Sequence, residues 1–398
     1  MGKNIELDLS NIPHELLLIL EIITMKSNEH SKHIIEKYQD IDWNLFIDLA
    51  LHHRIYPVLY TKLKKNEKCV PKEILQTIQQ YYKRNIFHML HLAAETEKIA
   101  KYFTENEIPT LFLKGPILGT ELYGDISLRT SSDIDFLVPI VDIEKAETLL
   151  INNGYVKEDY IQTVLNDWTW RHHHFTFIHP DKEIKIEIHW RLHPGPGKEP
   201  SFTELWNRKS TSSITGYSIN LLGKEDLLLF LITHGARHGW SRIRWLVDID
   251  RIVQHNINWF KINQLFKKFH SINVAGQAFI LSNALLHTTI SKNMQNIIEG
   301  NRPKKLAQNS IFYMERMVNL HTEPLPEEIA EYHKHHLYSM MSIQQKCLYA
   351  LSTLYPYPSD LETFPLPKNL HILYFPLRPF LAVWRKTRKN TLHEEDRN

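Results

Sequence analysis

The segment Asp133-Ile-Asp-Phe-Leu-Val138 constrains this chain more than any other, because it alternates polar and apolar residues and then stops at Pro139. Such alternation predicts a strand, and successive side chains of a strand point to opposite faces. Asp133 and Asp135 therefore share one face, while Ile134 and Phe136 share the other. Two carboxylates side by side repel unless a cation lies between them. Hard divalent ions such as Mg²⁺ (or Mn²⁺) take carboxylate oxygens together with the phosphates of a substrate. The pattern thus points to phosphoryl or nucleotidyl transfer. A second alternating segment, Lys185-Ile-Glu-Ile-His-Trp190, leaves Lys185, Glu187 and His189 on one face. Glu187 is the expected third metal ligand, with a cross-strand salt bridge to a lysine as the rival reading. His189 is either a partner of the ligands or an ordinary hydrogen-bonded strand residue.

Ahead of the acidic strand, Leu111-Phe-Leu113 is a short apolar run that ends in Lys114-Gly115-Pro116, with helical spacing from Ile117 onward. That order reads strand, turn, helix. Gly115 lets the backbone come close to a ligand, the helix start offers free amides, and Lys114 adds a positive charge. Between this helix and the strand, Arg129 with its fork of donors and the hydroxyls of Ser131 and Ser132 are expected to orient phosphate oxygens. Arg237, Arg242 and Arg244, near Trp240 and Trp245, either line a donor or acceptor pocket or end a solvated helix with ion pairs. His172-His-His174 lacks helical ligand spacing and is expected to be a strand start rather than a metal site. His234 and His238, four apart on an expected helix without an HExxH pattern, are expected to pack.

At 398 residues the chain exceeds what one core usually organises. Periodicity predicts four parts: an N-terminal helical lobe over 1–108, a catalytic core over 109–197, a C-terminal helical lobe over 198–345, and an irregular, Pro- and aromatic-rich terminus over 346–398 with a solvated basic tail from Trp384 to Lys389. The class is α+β: a small mixed sheet flanked by helical lobes. A formal charge of +2 gives no global basic field, which argues against a nucleic-acid substrate. Cys69 and Cys347 are the only cysteines, so neither a disulfide framework nor a thiolate zinc site is expected, and a cytoplasmic location fits. The most apolar early run, Leu16 to Ile23, is short and contains Glu21, so no membrane span is expected.

The run Leu113-Lys-Gly, then Tyr123-Gly124, then Arg129-Thr-Ser-Ser-Asp-Ile-Asp-Phe-Leu-Val138 resembles nucleotidyltransferases of the DNA polymerase beta superfamily. More narrowly, the chain is similar to a bacterial group of uncharacterised nucleotidyltransferase family proteins over roughly residues 15 to 260. That stretch includes Ala50-Leu-His-His-Arg-Ile-Tyr-Pro57, Ile186-Glu-Ile-His-Trp-Arg191 and Trp240-Ser-Arg-Ile-Arg-Trp-Leu-Val-Asp248. The resemblance implies a mixed sheet with helices, two divalent ions at Asp133, Asp135 and Glu187, and an NTP donor. Members also resemble enzymes that tailor ribosomally made peptides, which makes a modified peptide one acceptor to consider. One departure is Pro116, where the superfamily usually has a small residue after the glycine. It removes an amide and a hydroxyl from phosphate binding. Two other functions stay open on sequence grounds: sugar transfer from a nucleotide-sugar through the same Asp-x-Asp site, and a non-catalytic nucleotide-binding module.

Overall fold

The structure is a computed structural model that describes residues 6–25, 37–38, 40–67, 70–158, 161–212 and 216–395. Cys69 lies outside the described residues. Four helices lead in: α1 (His14–Thr24), α2 (Trp43–His52), α3 (Tyr56–Lys65) and the 34-residue α4 (Lys72–Glu105). The Asp42 side chain accepts from the amides of Asn44 and Leu45 at the start of α2, and Pro57 sits in the first turn of α3, where an amide has no helical partner. At 1.5 Å per residue α4 is about 50 Å long, so it reaches two cores. Its early Ile78 packs with α1 to α3, while Met89, Leu92, Ile99 and Phe103 further along cover the sheet.

The sheet has seven strands: β1 (Leu111–Phe112), β2 (Asp133–Leu137), β3 (Val156–Lys157), β4 (His174–His179), β5 (Ile184–His189), β6 (Ser210–Ser212) and β7 (Ile219–Leu221). Their order is β3-β4-β5-β2-β1-β7-β6. β2 runs parallel to β5 and antiparallel to β1, and β1 is parallel to β7. The expected hairpin is β4–β5, antiparallel. The helices α5 (Pro116–Tyr123) and α6 (Ile143–Asn152) precede and follow β2. Ile134 and Phe136 of β2 and Ile186 and Ile188 of β5 are fully buried on one face, in a core with α4 and α6. The opposite face carries the acids. This is the expected mixed sheet with helices on either side.

The rest is helical: α7 (Trp168–Arg171), α8 (Phe202–Asn207), α9 (Lys224–Arg237), α10 (Ile243–Ile252), α11 (Trp259–Lys268), α12 (Ile272–Leu286), α13 (Lys292–Ile298), α14 (Asn301–Glu315), α15 (Glu327–Met340), α16 (Ile343–Thr353), α17 (Pro358–Thr363) and α18 (Tyr374–Glu395). Leu16 and Ile19 of α1 share one core with Phe279 and Leu281 of α12, so the helices before and after the sheet pack together. No described helix is long and apolar enough to cross a membrane.

Two expectations are corrected. The sheet does not end at residue 197, because β6 and β7 lie beyond it and β7 pairs with β1. The terminus expected to be irregular forms helices instead: Pro358 starts α17, and Pro379 is accommodated inside α18. Buried Asp360 organises this region by pairing with Arg378 and with Arg385, the latter at 2.6 Å. The basic tail is thus anchored at Arg385 rather than wholly solvated.

Packing around α9 sets a first prediction. A Cβ at Gly235 would lie 2.4 Å from the ring of Trp240, which is fully buried. Gly235→Ala gains helix propensity of about 1 kcal/mol but overpacks the core, which costs about 1–3 kcal/mol. The variant is expected to melt at a lower temperature than the parent in a thermal scan, and an unchanged or higher midpoint would contradict this packing.

Candidate active site

Strand register builds the site. Across the parallel β2–β5 pair, Asp133 stands opposite Lys185, Asp135 opposite Glu187 and Leu137 opposite His189. Because alternate residues share a face, the three expected carboxylates lie with Lys185 and His189 on one side of the sheet. Asp135 is completely buried, and its Oδ1 receives Lys114 Nζ at 3.2 Å and His189 Nε2 at 3.3 Å. Its Oδ2 is buried and has no hydrogen-bond partner. Glu187 accepts from Lys185 at 2.7 Å, while His189 Nε2 lies 3.5 Å from its other oxygen. The salt bridge weighed as a rival for Glu187 therefore exists, with Lys185 on the same strand.

Electrostatics sharpen the picture. Burial first, then the charges of Asp135 and Glu187, push the Asp133 carboxyl up to about 6. Burial alone would also raise Glu187, but the hydrogen bond from His189 and nearby positive charge hold it well below the ordinary range. Burial opposes a charge on His189, yet its bonds to Asp135 and Glu187 raise its imidazole above the usual value. The ligand atoms of Asp135, Glu187 and His189 lie within 4.8 Å of one another. An orphaned buried carboxylate oxygen among three acids is what a hard divalent cation fits, because it satisfies the oxygen and removes the repulsion felt by Asp133.

The turn behind the acids is also positioned. Gly115 has φ of +97°, a left-handed conformation that side-chain-bearing residues rarely adopt, and it caps α5. Lys114 follows from Leu113, whose amide donates to the Asp135 carbonyl at 2.9 Å. From α4, Asn85 donates to the carbonyls of Ser127 and Arg129, and the His88 ring meets the Ser131 carbonyl at 2.9 Å. Ser131 Oγ donates to the Asp133 carbonyl at 3.1 Å, and exposed Ser132 donates to Asp133 Oδ2 at 3.3 Å.

Arg129 differs from its expected role. Its guanidinium is fully buried, with Nε and Nη2 each 3.0 Å from an oxygen of Asp248 on α10 and Nη1 donating to the Gly115 carbonyl at 3.3 Å. All its nitrogens are engaged inside the protein, so it fixes the Gly115 turn and does not face a phosphate. Tyr123 donates to the same Asp248 at 2.7 Å. Arg244 is likewise internal: it donates to the Thr130 carbonyl, and burial with the nearby Arg129 charge pushes it down to about 9. Arg242 donates to His52 and Asn319 rather than to the carboxylate site. Arg237 alone of the three lines a cavity.

Two features were not anticipated. Arg54, in the stretch Ala50-Leu-His-His-Arg-Ile-Tyr-Pro57, has φ of +56° and donates from Nη1 to Ser132 Oγ at 3.4 Å, at the rim of the acidic site. The signal was the basic residue within that motif. His173 and His174, expected only to start a strand, gather with His189, their ligand atoms within 4.8 Å of one another. His234 and His238 pack against each other and Trp245, as expected.

A mixed sheet that presents an Asp-x-Asp pair on one strand and a third carboxylate directly opposite on the next, behind a Lys-Gly turn, marks the class: this is a nucleotidyltransferase. Residues 39–287, more than half of the chain, match the family described as "Uncharacterised nucleotidyltransferase", and the chain belongs to that family. Among solved structures, the crystal structure of JHP933 from Helicobacter pylori aligns with 67% of this chain and 98% of that chain at 16% identity, with a TM-score of 0.26. No curated protein matches the chain.

Proposed function

We propose that the chain moves a nucleoside monophosphate from an NTP onto a hydroxyl or phosphate of a small molecule or modified peptide and releases pyrophosphate. The acceptor oxygen bonds to the α-phosphorus, a hydroxyl acceptor giving up its proton to solvent, while the bond from that phosphorus to the bridging β-phosphate oxygen breaks and its electron pair leaves with pyrophosphate. The observation that carries this reading is the buried, unpartnered Oδ2 of Asp135, which stands opposite Glu187 and two residues after Asp133. Asp133, Asp135 and Glu187 are the residues to hold Mg²⁺ (or Mn²⁺), which when bound polarises the phosphoryl oxygens and makes an acceptor hydroxyl more acidic. Lys114, 3.2 Å from Asp135, brings positive charge to the phosphate side of the carboxylates. Ser132 and Arg54 supply donors at the rim, and Ser131 sets the strand entrance through the Asp133 carbonyl. His189 steadies Asp135 and Glu187. A cytoplasmic setting, where NTPs and Mg²⁺ abound, goes with this activity.

The test is the intact mass of candidate acceptors incubated with each NTP and with nucleotide-sugars, with and without EDTA. The expected product carries one added nucleoside monophosphate, forms only with an NTP, and is lost when EDTA removes the metal. A product heavier by one hexose would move the reaction to sugar transfer. Nucleotide binding without any product across the acceptor series would make the chain a binding module.

A further inference from the structure

β5, which carries Glu187 and His189, continues through Trp190 into the loop His193-Pro-Gly-Pro-Gly197, and this loop walls a cavity of about 710 Å³. The other walls come from α9, α12, α15 and α16, with Leu229, Val274, Leu337, Met340 and Tyr349 among the lining side chains. One ring is shared by the cavity and the acidic site: cavity-lining His193 stacks on Phe230 at 5.8 Å, and Lys114, which pairs with Asp135, lies 5.9 Å from the centre of the same ring. The cavity therefore opens beyond the end of a strand that bears the chemistry, the usual place for a ligand in such sheets.

The charges around this space are unbalanced. Glu199 is the lining carboxylate, and it is already held by Arg191 and by the amides of Leu192 and His193. Arg171 pairs with Asp167, and its guanidinium lies 4.0 Å from the centre of the Tyr357 ring. Arg237 differs in its charge partner: its Nη1 is buried without a hydrogen-bond partner, as is Arg171 Nη2, but Arg171 has Asp167. Among the described residues no carboxylate pairs with Arg237. Burial pushes it down to about 10 while the charge of Glu187 works in the opposite direction, so it is cationic at neutral pH and close to the acidic site. Burial pushes His193 down to about 3 and His333 to about 4, so these two imidazoles add no charge. A guanidinium without a counter-charge and with a buried, unpartnered nitrogen in an apolar wall is costly unless a ligand brings the opposite charge.

We infer that this cavity is the acceptor site and that the acceptor is a small amphiphile, an apolar body held among the aliphatic and aromatic walls with an oxyanion, carboxylate or phosphate, on Arg237. The role as acceptor rests on the nucleotidyl-transfer reading, whereas the ligand class rests on the cavity itself. Its size suits a drug-sized molecule rather than a folded partner. A cationic ligand is disfavoured because the one lining carboxylate is already paired. The oxyanion would sit between the guanidinium and the metal-binding acids, which places the acceptor's polar end toward the chemistry and its apolar end away from it.

Calorimetric titration of the full chain with octyl phosphate, octanoate, octanol and octylammonium tests this. Both anions are expected to bind one site at least tenfold more tightly than octanol, and octylammonium more weakly than octanol. The tighter of the two anions names the oxyanion, and either ranking supports the site. Arg237→Gln should bring the anions to the level of octanol and leave octanol unchanged. Val274→Trp should fill the space and weaken all four. If Val274→Trp lowers the melting midpoint, Arg237→Gln alone decides. Octylammonium binding as tightly as octanoate, or anion binding indifferent to Arg237→Gln, would overturn the proposal. Asp135→Asn should keep probe binding while losing transfer, whereas a parent chain that binds the probes yet transfers nothing would count against the transfer reading and leave the pocket standing.

Discussion

Asp135→Asn is expected to lower nucleotidyl transfer about a thousandfold or more while leaving the fold intact. The amide has the shape of the carboxylate, and its oxygen still accepts from Lys114 and His189, the two partners on Oδ1. At the position of Oδ2, which now has no partner, the amide places N–H donors that repel a cation. Losing a ligand that stabilises transition-state charge is worth several kcal/mol, and each 1.4 kcal/mol is about tenfold in rate. The check is a product-formation rate with saturating Mg²⁺, read beside circular dichroism and a melting curve. A well-folded variant within tenfold of the parent rate would remove Asp135 from the chemistry and with it the metal reading of this face.

Asp248→Ala should be the most destabilising single change at the site without touching any of the three acids. Asp248 and Arg129 are both fully buried and joined by two bonds of 3.0 Å, and Tyr123 adds a third to the same carboxylate. Removing one partner of a buried pair leaves the other charge uncompensated, at a cost of about 3–5 kcal/mol. The urea midpoint should fall accordingly, and Arg129→Met added to Asp248→Leu should recover part of the loss because no lone charge remains. A shift of under about 1 kcal/mol for Asp248→Ala would mean that water reaches Arg129. Activity should fall as well, since Arg129 holds the carbonyl of Gly115 and so the turn that carries Lys114.

What was legible in the sequence was local. A period of two put Asp133, Asp135, Glu187 and His189 on shared faces, and strand alternation needs no knowledge of neighbours. The Gly115 turn was legible because a left-handed backbone position favours glycine. What was not legible depended on distant partners. Arg129 looked like a phosphate ligand because its fork of donors matches phosphate oxygens, and nothing within the motif announces an aspartate 119 residues away. The three-residue strands β6 and β7 are too short for periodicity to show, and only the free edge of β1 gives β7 a place. The Pro-rich end misled because proline stops helices in their interior yet starts them well, and Pro358 stands at a first turn.

The join between β7 and β1, together with the reach of Asp248 back to Arg129, has a consequence for how such a site is inherited. A fragment cut after the hairpin would keep all three acids yet expose one edge of β1 and strip the counter-charge from a buried arginine. The catalytic strands are thus not a portable cassette. Recombination that swaps the C-terminal helices must carry β7 and α10 along with the acids, so acceptor choice, written in the walls contributed by α9 onward, can drift by substitution far more readily than by exchange of whole segments.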